Sequence, residues 1–140
     1  MTRFLLSFFT TTIAALAAAD ERVQFNRDIR PILTKPCTAC HGGVKEAGGV
    51  SFVQEHKALG ETESGMRPVV PGKPAESEML RRIRSSDPAE VMPQPKHGPP
   101  LAASEAALIE RWIAQGAEWQ NHWSFEDPVE TKTAAVSNES

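Results

Sequence analysis

The chain has 140 residues, a formal net charge of −3 and a 40% hydrophobic composition, enough for one compact domain and hardly two. A mildly acidic chain has no electrostatic case for binding nucleic acid. Tyr is absent and there are eleven prolines and nine glycines, so core material is thin and something beyond side chains is expected to help fill the interior.

Residues 1–19 are set apart. Arg3 is the only charge before Asp20, and an apolar stretch from Phe4 to Ala19 is interrupted by Thr10, Thr11 and Thr12. Ala17 and Ala19 supply the small residues that precede a signal-peptidase cut, which predicts a secretory signal peptide and an exported protein, periplasmic or in another compartment outside the cytoplasm. An uncleaved anchor is the weaker reading, because a spanning helix wants about 20 mainly apolar residues. Cleavage after Ala19 leaves 140 − 19 = 121 residues and, with Arg3 lost, a charge of −4. No other long apolar run exists, so no membrane span is expected after cleavage.

Asp28 is placed to cap a short helix whose first turn is Ile29-Arg30-Pro31, with Ile29, Ile32 and Leu33 on one face. Lys35-Pro36 ends it. From Gly42 to Gly72 the sequence is glycine-rich with little apolar periodicity, and reads as a long loop with one helical turn around 53–59. Such a loop is uncommon in a compact domain unless it wraps something. Pro74 to Arg84 reads as a helix with Glu76 and Glu78 early and Arg81, Arg82 and Arg84 late, as the helix dipole favours; Met79, Leu80 and Ile83 form its stripe. Five prolines between Asp87 and Pro100 forbid a long helix there. Leu101 to Gln115 is the second strong helix, with Leu108, Ile109, Trp112 and Ile113 at helical spacing and Gly116 as its stop. Residues 126–140 read as a disordered tail. No alternating strand pattern persists, so the fold class expected is all-α.

The only two cysteines stand in Cys37-Thr38-Ala39-Cys40-His41. Two thiols three positions apart on a helical turn can each add to one vinyl group of a haem, while the adjacent imidazole takes the iron; this is the c-type haem signature. A thioredoxin-like pair would want a preceding strand in a βαβ setting. A structural zinc site would want two more regularly spaced ligands, and His56, His97 and His122 are scattered. One covalent haem c is therefore expected on Cys37 and Cys40, with iron on His41, and it would supply the missing core.

The sixth iron ligand is less constrained. Met66, Met79, Met92, His56, His97 and His122 are candidates. Met79 belongs to a helix stripe, where packing is the simpler role, and Met66 lies in a loop. Met92 is favoured: it stands 92 − 41 = 51 positions beyond His41, in a loop stiffened by Pro93 and Pro95. The alternative is that it only lines the pocket, methionine being a common gap-filler. Trp112 reads as core, while Trp119 and Trp123 read as covering a haem edge or seating the C-terminal extension. For Arg81, Arg82 and Arg84 a solvated helix end outweighs a bond to a haem propionate.

The ordered set Phe25–Leu33, Cys37–Gly42, Val70-Pro71-Gly72-Lys73-Pro74 with Ser77 and Leu80–Ile83, Met92-Pro93, Arg111-Trp112-Ile113 with Gln115–Trp119, and His122–Phe125 resembles the planctomycete-type cytochrome c domain. The resemblance covers nearly the whole mature chain and implies a small, loop-rich helical domain over residues 20–125 wrapped around the haem, with His41 proximal and Met92, matching the family's Met-Pro position, distal. Relatives usually continue beyond the last of these motifs into larger domains. This sequence stops at Ser140, so it reads either as a free-standing carrier or as a piece of a longer exported multidomain protein.

No nucleophile with its base, carboxylate pair or phosphate loop is present, so the polypeptide itself is not expected to be an enzyme. Single-electron transfer with redox partner proteins is the leading function. A haem-based sensor or peroxidase-like module with an open distal side is the alternative, and a haem-bearing interaction domain is a third.

Overall fold

The computed structural model describes residues 22–121. The expected signal peptide, the 126–140 tail, His122 and Trp123 lie outside the described residues. Among those described the secondary structure is helical without a strand, as an all-α fold requires, and no helix is long and apolar enough to cross a membrane.

A π-helical turn, Phe25–Ile29, runs directly into α1, Arg30–Thr34. The helical segment thus begins about one turn earlier than the sequence predicts, and Asp28 lies inside it. Asp28 still serves the helix start, because its Oδ2 accepts the N–H of Gln24 at 2.8 Å, one of the donors a helix N-terminus leaves unpaired. Pro31 sits at the tolerated early position of α1. After a turn at 35–37 the chain forms α2, Thr38–His41.

The 42–72 segment is mostly loop, with α3 at Glu55–Leu59 where a helical turn is expected and a 3-10 turn at Ala47–Gly49 that the sequence does not announce. Backbone bonds organise its end: Val69 donates to the Ala58 carbonyl at 3.1 Å, and Glu78 and Met79 donate to Arg67 and Pro68. The helix expected over 74–84 is broken in two, a 3-10 turn Pro74–Glu76 and then α4, Glu78–Ile83. Ser77 makes the break. Its buried hydroxyl donates to the Lys73 carbonyl at 3.0 Å and accepts the Val70 N–H at 2.9 Å, fixing the preceding turn instead of extending a helix.

Between 87 and 100 only a 3-10 turn, Pro95–His97, forms, and α5 follows at Ala103–Ala114. Its N-cap, Ala102, has no side-chain acceptor; Glu105 accepts the Ala102 N–H at 3.0 Å. Gly116 ends α5 at φ +105°, a conformation that costs a glycine little.

The core joins the two ends of the described chain. Phe25, Ile29, Leu33, Ile109, Trp112 and Ile113 are almost fully buried in one cluster. The Phe25 and Trp112 rings lie 5.4 Å apart, which sets the first helical segment against α5. Trp119 stacks on Phe25 at 4.0 Å and Trp112 donates its indole N–H to Glu118 at 3.0 Å. Trp119 therefore seats the chain beyond α5. The remaining helices and loops bound a cavity.

Candidate haem site

Local hydrogen bonding builds the Cys37–His41 turn. The Cys37 N–H bonds the Leu33 carbonyl at 3.1 Å, so the turn hangs from the end of α1. The Cys37 carbonyl accepts both the Cys40 N–H at 3.1 Å and the His41 N–H at 2.8 Å, while Thr38 Oγ1 donates to the Thr34 carbonyl at 2.9 Å. Gly42 closes the turn where a Cβ would stand 2.4 Å from the Thr38 oxygen, so no larger residue fits without shifting the backbone.

Cys37, Cys40 and His41 all line one cavity of about 430 Å³, a size that suits a small-molecule or cofactor site. Its wall is largely apolar, with Val50, Phe52, Met79, Ile83, Pro93 and Leu101 contributing. Both cysteines are free thiols. Burial, with the Glu105 carboxylate adding to it, pushes the Cys37 thiol up to about 11, so it stays protonated at neutral pH. Lys45 Nζ lies 3.8 Å from Cys40 Sγ.

His41 is half-buried, with the Phe52 ring edge-on at 5.7 Å and its carbonyl accepting the Phe52 N–H at 2.8 Å. Burial lowers its pKa; the Ala47 and Val50 carbonyls oppose this, and the charges of Arg82 and Lys45 reinforce it. The imidazole is thus neutral at pH 7, the form that ligates metal. Its Nδ1 is buried and makes no hydrogen bond of normal geometry.

Met92 lines the same cavity. Its N–H bonds the Arg82 carbonyl at 3.1 Å, which attaches the proline-rich loop to α4, and the Met92-Pro93 peptide is cis. Met66, Met79 and His97 also line the cavity, whereas His56, on α3, does not. Met79 belongs to the core cluster as well, and Met66 is 40% exposed. Of the three arginines at the end of α4, Arg82 alone lines the cavity. The sequence reading does not anticipate Lys45, Phe52 or Leu101 as wall residues; they lie outside any motif, and only the fold brings them there.

Residues 37–96 match the family model described as Planctomycete cytochrome C. Over that stretch the chain is similar to this cytochrome c family. No curated protein and no solved structure matches. The matched residues run from the first cysteine of the haem motif past Met92 and include α2, α3, α4 and most of the cavity wall.

The family implies a haem c, and the residues present fit one. Two free thiols and a neutral imidazole line an apolar enclosure. No group of three or more His, Cys, Asp or Glu gathers among the described residues as it would around a bare metal ion, so the zinc alternative finds no support there.

Proposed function

We propose that the chain is a monohaem c-type cytochrome that carries single electrons outside the cytoplasm. In this reading Cys37 and Cys40 would hold the haem covalently, and His41 and Met92 would bind its iron. The observation that supports it best is that the contiguous Cys37–His41 motif opens on an apolar cavity with Met92 in its wall.

A haem held here supplies the one-electron couple of its iron. The residues around it do the rest. Each cysteine thiol would hold the haem through a thioether, its S–H adding across one vinyl C=C with no atom lost. His41 offers a neutral nitrogen, and Phe52 limits the tilt of its ring. The apolar wall keeps water from the metal, and a methionine sulfur favours the ferrous state and raises the potential. The carrier role has no catalytic residue of its own.

Mass spectrometry of protein matured in a host with c-type assembly machinery tests the attachment: the mass should rise by one intact haem. Met66 supports a second assignment of the distal ligand because it lines the same cavity. An open distal side would give the sensor or peroxidase-like function, and it would show as carbon monoxide binding to the wild-type ferrous protein without competition from a protein ligand.

A further inference from the structure

A haem carries two propionate carboxylates, and a carboxylate at the edge of an apolar cavity needs a charged or hydrogen-bonding partner. Among the described residues three cations line the cavity: Lys45, Arg82 and Lys96. The two lysines are exposed, so fixing either on a carboxylate would cost side-chain freedom. Arg82 is different. Its side chain is 28% exposed, and its Nε is already oriented by a 2.7 Å bond to Glu78 Oε1. Nη1 points to the Glu90 carbonyl at the long distance of 3.5 Å.

Glu78 does not consume the charge of Arg82, because Arg81 grips both Glu78 oxygens, with Nε to Oε2 and Nη2 to Oε1, each at 2.7 Å. Arg81 also pairs with Glu90, and Arg84 is occupied with Glu110 at 3.1 and 2.6 Å. Arg82 thus combines a partly held guanidinium, donors beyond those it uses and a place in the cavity wall. A planar fork of this kind matches a carboxylate better than an ammonium does.

We infer that Arg82 binds a haem propionate, with Glu78 holding the guanidinium in position for it. The inference rests on the haem reading above and concerns the chain's contact with the group, not its attachment. It reverses the sequence expectation for one of the three arginines, and it gives α4 two duties at the site: its Arg82 carbonyl holds the Met92 loop, and the side chain of the same residue holds the haem edge.

The test uses matured holoprotein and resonance Raman spectra of the propionate bending mode, whose frequency falls when the carboxylate loses a hydrogen-bond donor. R82Q should lower the frequency and R82K should recover part of the shift. R84Q, which removes the same charge from the end of α4 away from the cavity, should leave it unchanged. E78Q should lower the frequency by less than R82Q does, since the guanidinium is kept but no longer held in position. An R82Q spectrum identical to wild type would overturn the inference, as would a shift produced by K45Q or K96Q but not by R82Q. If R82Q does not mature, an R82K spectrum identical to wild type would overturn it. Wild-type protein without covalent haem would instead refute the underlying haem reading, so the two failures are distinguishable.

Discussion

At Met92 and Gly42 single atoms decide what the turn and the loop can do. Met92 is held through its N–H to the Arg82 carbonyl at 3.1 Å, so its backbone is fixed by α4 and its side chain belongs to the cavity wall. Replacing Met92 by Ala is expected to leave haem attached, because the thioethers do not depend on it. It should abolish the sulfur-to-iron charge-transfer band of the ferric protein, lower the reduction potential and admit carbon monoxide to the ferrous iron. The opposite pattern, Met92→Ala silent and Met66→Ala disruptive, would move the ligand to the long loop. Gly42→Ala would drive a methyl group to 2.4 Å from the Thr38 oxygen and should destabilise the apoprotein by about 1–3 kcal/mol, measured by urea denaturation. The cysteine–histidine motif is legible in the sequence because its five residues are contiguous and share one helical turn. Phe52, Lys45 and Arg82 are not, because they reach the cavity from separate segments.

The helices show where periodicity is a sufficient guide and where hydrogen bonding overrides it. In α5 the stripe of Ile109, Trp112 and Ile113 is buried as its spacing predicts. Over 74–84 the buried Ser77 hydroxyl divides what the spacing reads as one helix. Charge placement and apolar stripe alone carry no sign of such a break. Asp28 sits on the first helical segment rather than at its cap, yet its carboxylate takes the Gln24 N–H. The Arg27 guanidinium, opposed by burial and helped by the Gln24 N–H, holds its carboxyl below the usual Asp range. A carboxyl held low in the folded chain stabilises it above the ordinary Asp range, and that contribution is lost as pH falls through the lowered value. Asp28→Asn should therefore melt at a lower temperature than wild type at neutral pH, and the gap should close in acid; a gap independent of pH would exclude this role. Phe25→Ala removes the ring between Trp112 and Trp119 and should cost about 3–5 kcal/mol, again by denaturation.

Across the whole molecule, the described residues divide between a packed core joining the first helical segment to α5 and a cavity walled by α2, the 42–50 loop, α4 and the 92–101 segment. The apolar residues available gather in one cluster, and in the proposed function a haem would fill the cavity. The all-α class and the approximate places of the helices are legible from the sequence. The path of the long loop is not, because backbone bonds such as Val69 to Ala58 and Gly72 to Ile113 leave no periodic trace. Export is a prediction of the N-terminal sequence, and N-terminal sequencing of the secreted protein should begin at Asp20. The most direct measurement of the central proposal is peptide mass spectrometry on the matured, denatured and solvent-extracted protein. One intact haem retained on the peptide containing Cys37 and Cys40, and lost from the Cys37→Ser/Cys40→Ser double variant, is the predicted result. Recovery of that peptide with both thiols free, from cells that mature other c-type cytochromes, would contradict it.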